Sequence, residues 1–246
     1  MRLIDDLLDT LPNGRICDVR IGLHWTAVVA EADGIRRCGL ASTLIDGHEH
    51  GVVDVPQAGQ LETFSVLDLA RFAQSDRSTM ASIGVATINA LLPPLPASWT
   101  DENAEEVLAR HGANRVVALV GHFPFIPRLR PQVGGLFVLE RNPHEGDVPE
   151  TAAPEILPQA DVVAITGLTL INHALDGLLK LCPAHAVVLV LGPSTPLSPI
   201  LFEHGVHILC GSVVTAVEPV LKAIQQGANF RQVHRAGVRL VTMGQK

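Results

Sequence analysis

A histidine directly behind a run of apolar residues is the first place in this chain where chemistry could sit. His122 follows RVVALVG, Arg115 to Gly121, and precedes Phe123, Pro124, Phe125, Ile126 and Pro127. A neutral imidazole at the mouth of a pocket can carry a proton near neutral pH or bind a borderline metal. Three further loops carry polar residues behind apolar runs: Glu140, Arg141 and Asn142; Thr166, Gly167, Thr169 and Asn172; and Gly192, Pro193, Ser194 and Thr195. Glu140 offers a hydrogen-bond acceptor. Thr169 is read as a helix cap with Asn172 in the first turn, an end that suits an anion because the first N–H groups of a helix are unpaired. Gly192 to Pro196 is too rich in proline for a P-loop and lacks its lysine, so it is a stiff wall offering two hydroxyls. Ser194 is outside a G-x-S-x-G elbow, which makes it a poor nucleophile.

The same residues bear on cofactors. Glu140 follows Gly121 at nearly the spacing of about 20 residues that separates a dinucleotide-binding glycine loop from its ribose-binding acid. The fingerprint G-x-G-x-x-G is absent, and Phe123 and Pro124 would obstruct a diphosphate. NAD is therefore disfavoured, a methyl-donor or nucleotide ligand on a degenerate loop stays as an alternative, and no cofactor is assigned. A second alternative is a non-catalytic metal carrier using His122, His173 and either His144 or a cysteine. His48-Glu49-His50 is a further metal-like pattern, read as a solvated loop because no third ligand is in sight.

The elements that must position these loops alternate. Val116–Val120 is too short to span a membrane and has no helical period, so it is a strand buried on both faces. Strands over 136–139, 162–166, 187–191 and 207–209 follow, with helices at 170–181, 199–203 and 217–226. That alternation predicts a parallel sheet with right-handed crossovers, strand order 2-1-3-4-5, and polar loops converging at the carboxyl edge of the sheet. Ahead of it, Leu3 to Leu11 has helical spacing, and Ile16 to Leu40 forms a three-stranded meander turned at Asp33-Gly34. Helical patterns at 61–72 and 80–92 come next; Gly84 lets the second pack closely. Leu91 to Trp99, LLPPLPASW, is the linker candidate, dividing domains 1–97 and 98–246. Thr100 is the expected cap of the helix that follows.

Composition narrows the partners. The 246 residues are 47% hydrophobic and 17% charged, with a net charge of −7 and no basic cluster, which disfavours nucleic acid and anionic membranes. Asp5 and Asp6 directly follow Met1-Arg2-Leu3-Ile4, unlike a signal peptide, so the expected compartment is cytoplasmic. The four cysteines are far apart and form no CxxC pair, as for reduced thiols. A small-molecule ligand, with or without a metal ion, is the expected partner; a homodimer is compatible with the sequence.

Taken together, GHFPFIP at 121–127, ERNP at 140–143, ADVVAITG at 160–167 with Asn172, and GPSTPLSP at 192–199 resemble the putative heavy-metal chelation family. The resemblance covers nearly all of Ala104 to Met243. Gly22 to Thr26, Gly39-Leu40-Ala41 and Ile83 to Ala86 resemble the partner domain usually joined to it. The resemblance implies an α/β fold in which a smaller α+β, enolase-N-terminal-like domain precedes a Rossmann-like domain. It also implies a pocket between them, lined by the motif residues, and a connection to metal homeostasis. Thiolate clusters and paired histidines are missing, so handling of a metal-chelating small molecule suits these residues better than tight chelation by the protein alone. Whether a reaction is catalysed is left open.

Overall fold

The computed structural model describes residues 2–46 and 55–245, and contains two sheets. His48, Glu49 and His50 lie outside the described residues.

Strands β1 (Arg15–Ile21), β2 (Trp25–Ala32) and β3 (Ile35–Ser42) form the antiparallel meander, turned at Asp33 and Gly34, both at positive φ. Its residues alternate between two cores. Val28, Ala30 and Ala41 face the helix Ser78–Leu91, while Ala27, Val29 and Leu40 face Val220, Leu221 and Ile224 of the helix Val217–Gln225. The meander is therefore clamped between a helix of its own half and one from the far end of the chain. Two glycines permit the close approaches. A Cβ on Gly39 would stand 2.2 Å from the Ala86 carbonyl oxygen, so it is Gly39 that lets the helix sit on the sheet. Gly84 does the same toward a different neighbour, the Phe72–Ala73 turn, where its Cβ would be 1.8 Å from a backbone nitrogen. The expected helix over 61–72 is broken into the short turns Leu61–Thr63, Val66–Ala70 and Arg71–Gln74, with Ser65 capping the middle one.

The larger sheet has eight strands: β4 (Trp99–Thr100), β5 (Val116–Val120), β6 (Gly135–Glu140), β7 (Val148–Pro149), β8 (Val162–Thr166), β9 (Val187–Leu191), β10 (Ile208–Val214) and β11 (Val238–Gly244). Their order is β4-β11-β10-β9-β8-β5-β6-β7. The inner run β10-β9-β8-β5-β6 is parallel and is the 2-1-3-4-5 order expected, with its reversal between β5 and β8. Strands β11 and β4 extend one edge in antiparallel fashion. In β5, Val117 and Leu119 face a core with Val107 and Leu108, and Ala118 and Val120 face the core that also holds Leu3, Leu7, Ile83 and Ile88. Both faces are covered, which is why these strands are almost continuously apolar. The second of these cores joins residues from both halves of the chain.

Two further local expectations are corrected. The helix Ala104–Gly112 is capped by Asn103, which forms a reciprocal capping box with Glu106, whereas Thr100 lies in β4. The segment 170–181 is not one helix: Gly167–Leu170 is a 3-10 turn and only Leu175–Leu179 is helical. Among the described residues, no helix is long and apolar enough to cross a membrane.

Candidate functional site

Gly121 ends β5 at φ +106°, a conformation suited to glycine, and its N–H donates to the Leu139 carbonyl. A Cβ there would meet the Thr166 side chain at 3.1 Å, so the glycine also lets the first and third strand ends close up. The turn delivers His122 with its side chain 37% exposed.

What holds the imidazole is a residue that the sequence does not point to. His122 Nδ1 lies 2.9 Å from Asp147 Oδ2, and the Asp147 side chain is only 3% exposed. The same oxygen accepts from the His144 N–H at 3.0 Å, while the Asp147 N–H donates to the His144 carbonyl. Burial works against the charged carboxylate, but the hydrogen bonds from His144 and His122 prevail and hold Asp147 below the ordinary carboxylate range. An ionised Asp147 accepts from a proton on Nδ1 of His122, so in the neutral imidazole it is Nε2 that carries the lone pair. The His144 ring stands edge-on to His122 with centroids 4.7 Å apart. Asp147 reaches this place because β7, two residues long, pairs Val148 with Leu139 and Pro149 with Glu140. A pair of residues containing proline carries no strand signal in sequence. Gly146, at φ +86°, is the only local hint, as a turn marker.

His122 lines a cavity of about 180 Å³ together with Gly121, Phe123, Glu140, Arg141, Glu150, Thr166, Thr169 and Asn172. Of the residues proposed from sequence, three of the four loops thus contribute here. Glu140 accepts from the Arg141 N–H at 2.8 Å, and Arg141 Nε donates to Glu150 at 2.9 Å. The wall therefore carries two glutamates against one arginine. Thr169 does not cap a helix: it is buried and donates to the Thr166 carbonyl at 2.6 Å. Thr166 is the capping residue of the 3-10 turn, and Asn172 Oδ1 accepts from the Ala174 N–H. The helix end expected to hold an anion is accordingly not formed.

The remaining candidates lie elsewhere. Asn142 is exposed and lines neither this cavity nor the next. Pro124, Gly192 and Pro193 line a separate, mainly apolar cavity of about 290 Å³, reached from the other side of Phe123, which borders both. Ser194 and Thr195 are each 2% exposed and face inward. The Ser42 N–H donates to Ser194 Oγ at 2.9 Å, and the Ser194 carbonyl accepts from Asn89 Nδ2. Gly167 packs against that loop; a Cβ on it would be 2.7 Å from Thr195 Oγ1. His173, at φ 59°, bonds to the Ala73 carbonyl at 2.8 Å and so is turned toward the first half of the chain, away from a shared site with His122.

Metal fit follows from the donor set. A histidine whose far nitrogen is held by a carboxylate has the second-sphere geometry of metal-binding histidines. One such imidazole is present here, and among the described residues no group of three or more His, Cys, Asp or Glu side chains could hold an ion. Cys38 is buried, and burial pushes its thiol up to about 12; Cys182 and Cys210 are pushed up to about 11 in the same way. Thiolate ligation from those three is disfavoured. The described residues thus supply no complete set of protein ligands for a bare ion.

Strand order, crossovers and the histidine at the switch point place the molecule among doubly wound α/β proteins that carry a small antiparallel sheet. The chain belongs to the family described as "Putative heavy-metal chelation": its DUF364 model matches residues 103–243, and the DUF4213 model, with the same description, matches residues 4–92. MJ0500, an uncharacterized protein of Methanocaldococcus jannaschii, is 27% identical over 198 residues, covering 77% of this chain and 74% of that protein. The crystal structure of a DUF364-family protein of unknown function from Desulfitobacterium hafniense matches at TM-score 0.82 and 25% identity, covering 99% of this chain and 98% of that one. Another family member, PH1506 of Pyrococcus horikoshii, matches at TM-score 0.83 and 22% identity with the same coverage, a likeness of fold.

Proposed function

We propose that the cavity at His122 binds a small polar molecule that carries or captures a metal ion. The observation that carries this reading is the His122–Asp147 pair, which presents Nε2 of one oriented imidazole at the carboxyl edge of the sheet, beside the strand-order reversal. In this reading Nε2 is either a donor to the metal or the group that moves a proton as the molecule binds. Glu140, Glu150 and Arg141 would recognise the molecule's polar groups, and two carboxylates against one guanidinium favour a ligand with cationic or metal-bearing character over a simple anion. The family description supports the link to metals. We further read residues 1–97 and 98–246 as two domains. The separate family matches on either side of the proline-rich stretch support that division, and the shared core implies that the domains do not move freely.

Native mass spectrometry and elemental analysis of protein purified from its own host test the reading. A bound small molecule, with metal in equal amount, is expected in the wild type and lost in His122→Ala, which should still unfold cooperatively, its melting temperature lowered only by the stabilisation the ligand gave and by the lost hydrogen bond to Asp147. Equal occupancy in the variant would sink the proposal. Stoichiometric metal that survives dialysis without a small molecule would favour a protein-only carrier instead.

A further inference from the structure

The mainly apolar cavity of about 290 Å³ beyond Phe123 has no part in the reading above, although it too lies at the larger sheet, beside Leu191 and Gly192 at the end of β9. Phe123, Pro124 and Phe125 from the loop after β5, Phe230 from the helix Phe230–Gly237 and Leu240 of β11 wall it with apolar surface. Five polar side chains also border it: Glu102, Asn103, Glu105, Cys210 and Thr242. Each is already engaged within the chain. Glu102 accepts two hydrogen bonds from Arg110, at 3.0 and 2.7 Å, and Glu105 pairs with Arg128. Asn103 caps its helix by accepting from the Glu106 N–H, and the Thr242 hydroxyl reaches the Glu102 carbonyl at 2.6 Å and Cys210 Sγ at 3.4 Å. None of the five is among the residues with a buried, unpartnered polar atom. A cavity whose polar walls are satisfied favours an occupant that displaces loosely held water with apolar surface.

This cavity is joined to the one at His122 by a single loop. His122 lines only the polar cavity, Phe123 lines both, and Pro124 and Phe125 line only the apolar one. Phe123 is the partition. Its ring stacks on Phe125 with centroids 5.2 Å apart and planes 17° apart, and its Cε2 lies 3.3 Å from where a Cβ on Gly121 would stand. The two compartments share this wall and differ in kind: one is bordered by His122, Glu140, Glu150 and Arg141, the other mainly by hydrocarbon. An apolar cavity of about 150 Å³ takes benzene, so the larger compartment has room for a hydrocarbon group of roughly six to ten carbons.

We infer that the molecule bound at His122 is amphipathic: its polar, metal-bearing end meets the imidazole, and a hydrocarbon arm passes Phe123 into the apolar compartment. The inference rests on the reading of the His122 cavity as a ligand site and adds the class of molecule that the site takes. Each CH₂ removed from water is worth roughly a fourfold gain in affinity, so an arm seated even partly in this half-open cavity contributes about tenfold or more.

The test uses the full chain and calorimetry with three zinc complexes as probes: those of iminodiacetate, N-benzyliminodiacetate and N-hexyliminodiacetate. Their heads are alike and leave coordination positions open for an imidazole; two of them carry an apolar arm, one a ring and one a chain. At least one armed probe is expected to bind about tenfold or more tightly than zinc iminodiacetate. Leu240→Gln, at a half-buried strand position and similar in size but polar, should remove that advantage and leave the affinity for zinc iminodiacetate unchanged. Phe230→Gln should do the same, and it serves should the Leu240 variant fail to fold. If zinc iminodiacetate binds in a His122-dependent way and neither arm adds affinity, or the advantage survives both variants, the amphipathic ligand is excluded while the His122 site stands. If zinc iminodiacetate does not bind, or binds equally to His122→Ala, the His122 reading falls and this inference falls with it.

Discussion

Two loops leave the same edge of the larger sheet in nearly the same way and end in opposite roles. After β5, Gly121 turns at φ +106° and the next residue, His122, stays partly exposed at a cavity. After β9, Gly192 turns at φ +110°, yet Ser194 and Thr195 are buried. The turn is alike; the neighbour differs. The meander covers the second loop and takes its serine as an acceptor for the Ser42 N–H, whereas the His122 side chain of the first loop is held by the short return through Asp147 and keeps part of its surface open. A strand-end position makes a polar loop a candidate for ligand binding, but what packs over it decides whether its hydroxyls meet solvent or backbone.

The largest expected effect concerns the contact between the inward loop and the one beside it. Gly167→Ala should destabilise the protein by about 3 kcal/mol, since its Cβ would collide with Thr195, whose hydroxyl and backbone cannot both move aside. Urea unfolding measures this, and a loss under about 1 kcal/mol would mean that the inward loop is soft and the contrast drawn above is too sharp. Next in size, Ser194→Ala removes the acceptor of a part-buried N–H and should cost about 1 kcal/mol or a little more, while leaving ligand occupancy at His122 unchanged. Lost occupancy with intact stability would reverse the roles of the two loops.

The smallest effect on stability is on the outward side. Asp147→Asn should cost about 1 kcal/mol at neutral pH, because hydrogen bonds to the ionised carboxylate are weakened. The folded-state pKa of Asp147 lies below its unfolded value, so its contribution is present above about pH 4 and disappears as pH falls through the folded value. The gap between wild type and variant should therefore be full at pH 7 and close under acid conditions. A gap that is constant with pH would show that the carboxylate's charge is not what orients His122.

Much of the architecture was legible because burial on both sheet faces imposes a plain pattern. The boundaries of β5, β8 and β9 follow from runs of β-branched residues and leucine broken only by Ala118 and Ala164, and the strand order follows from the handedness of crossovers. Less legible were elements whose signal is tertiary. Strand β10 runs on to Val214 through Gly211, which sequence treats as a breaker but which is there because a side chain would strike Leu197. Strand β11 joins antiparallel after the βα alternation has ended, and β7 is too short to recognise. Within the candidate site, His122, Glu140 and Thr166 could be named because each ends a visible strand. Asp147 and Glu150 could not, since each depends on a segment returning to the sheet edge through β7. The inward turn of Ser194 was hidden because its partner, Ser42, is 152 positions away.

The pairing of β4 with β11 has a consequence for how the molecule is made. Trp99 and Thr100, directly behind the proline-rich stretch, bond across to Met243 and Thr242, a closure spanning 142 residues. During synthesis the connecting segment therefore has no strand to join until residues 238–244 have left the ribosome. A long-range closure of this kind is a slow step in assembly. Circular permutation that opens the backbone within 93–98 while preserving the β4–β11 pairing would leave the final pairing intact but change when it can occur.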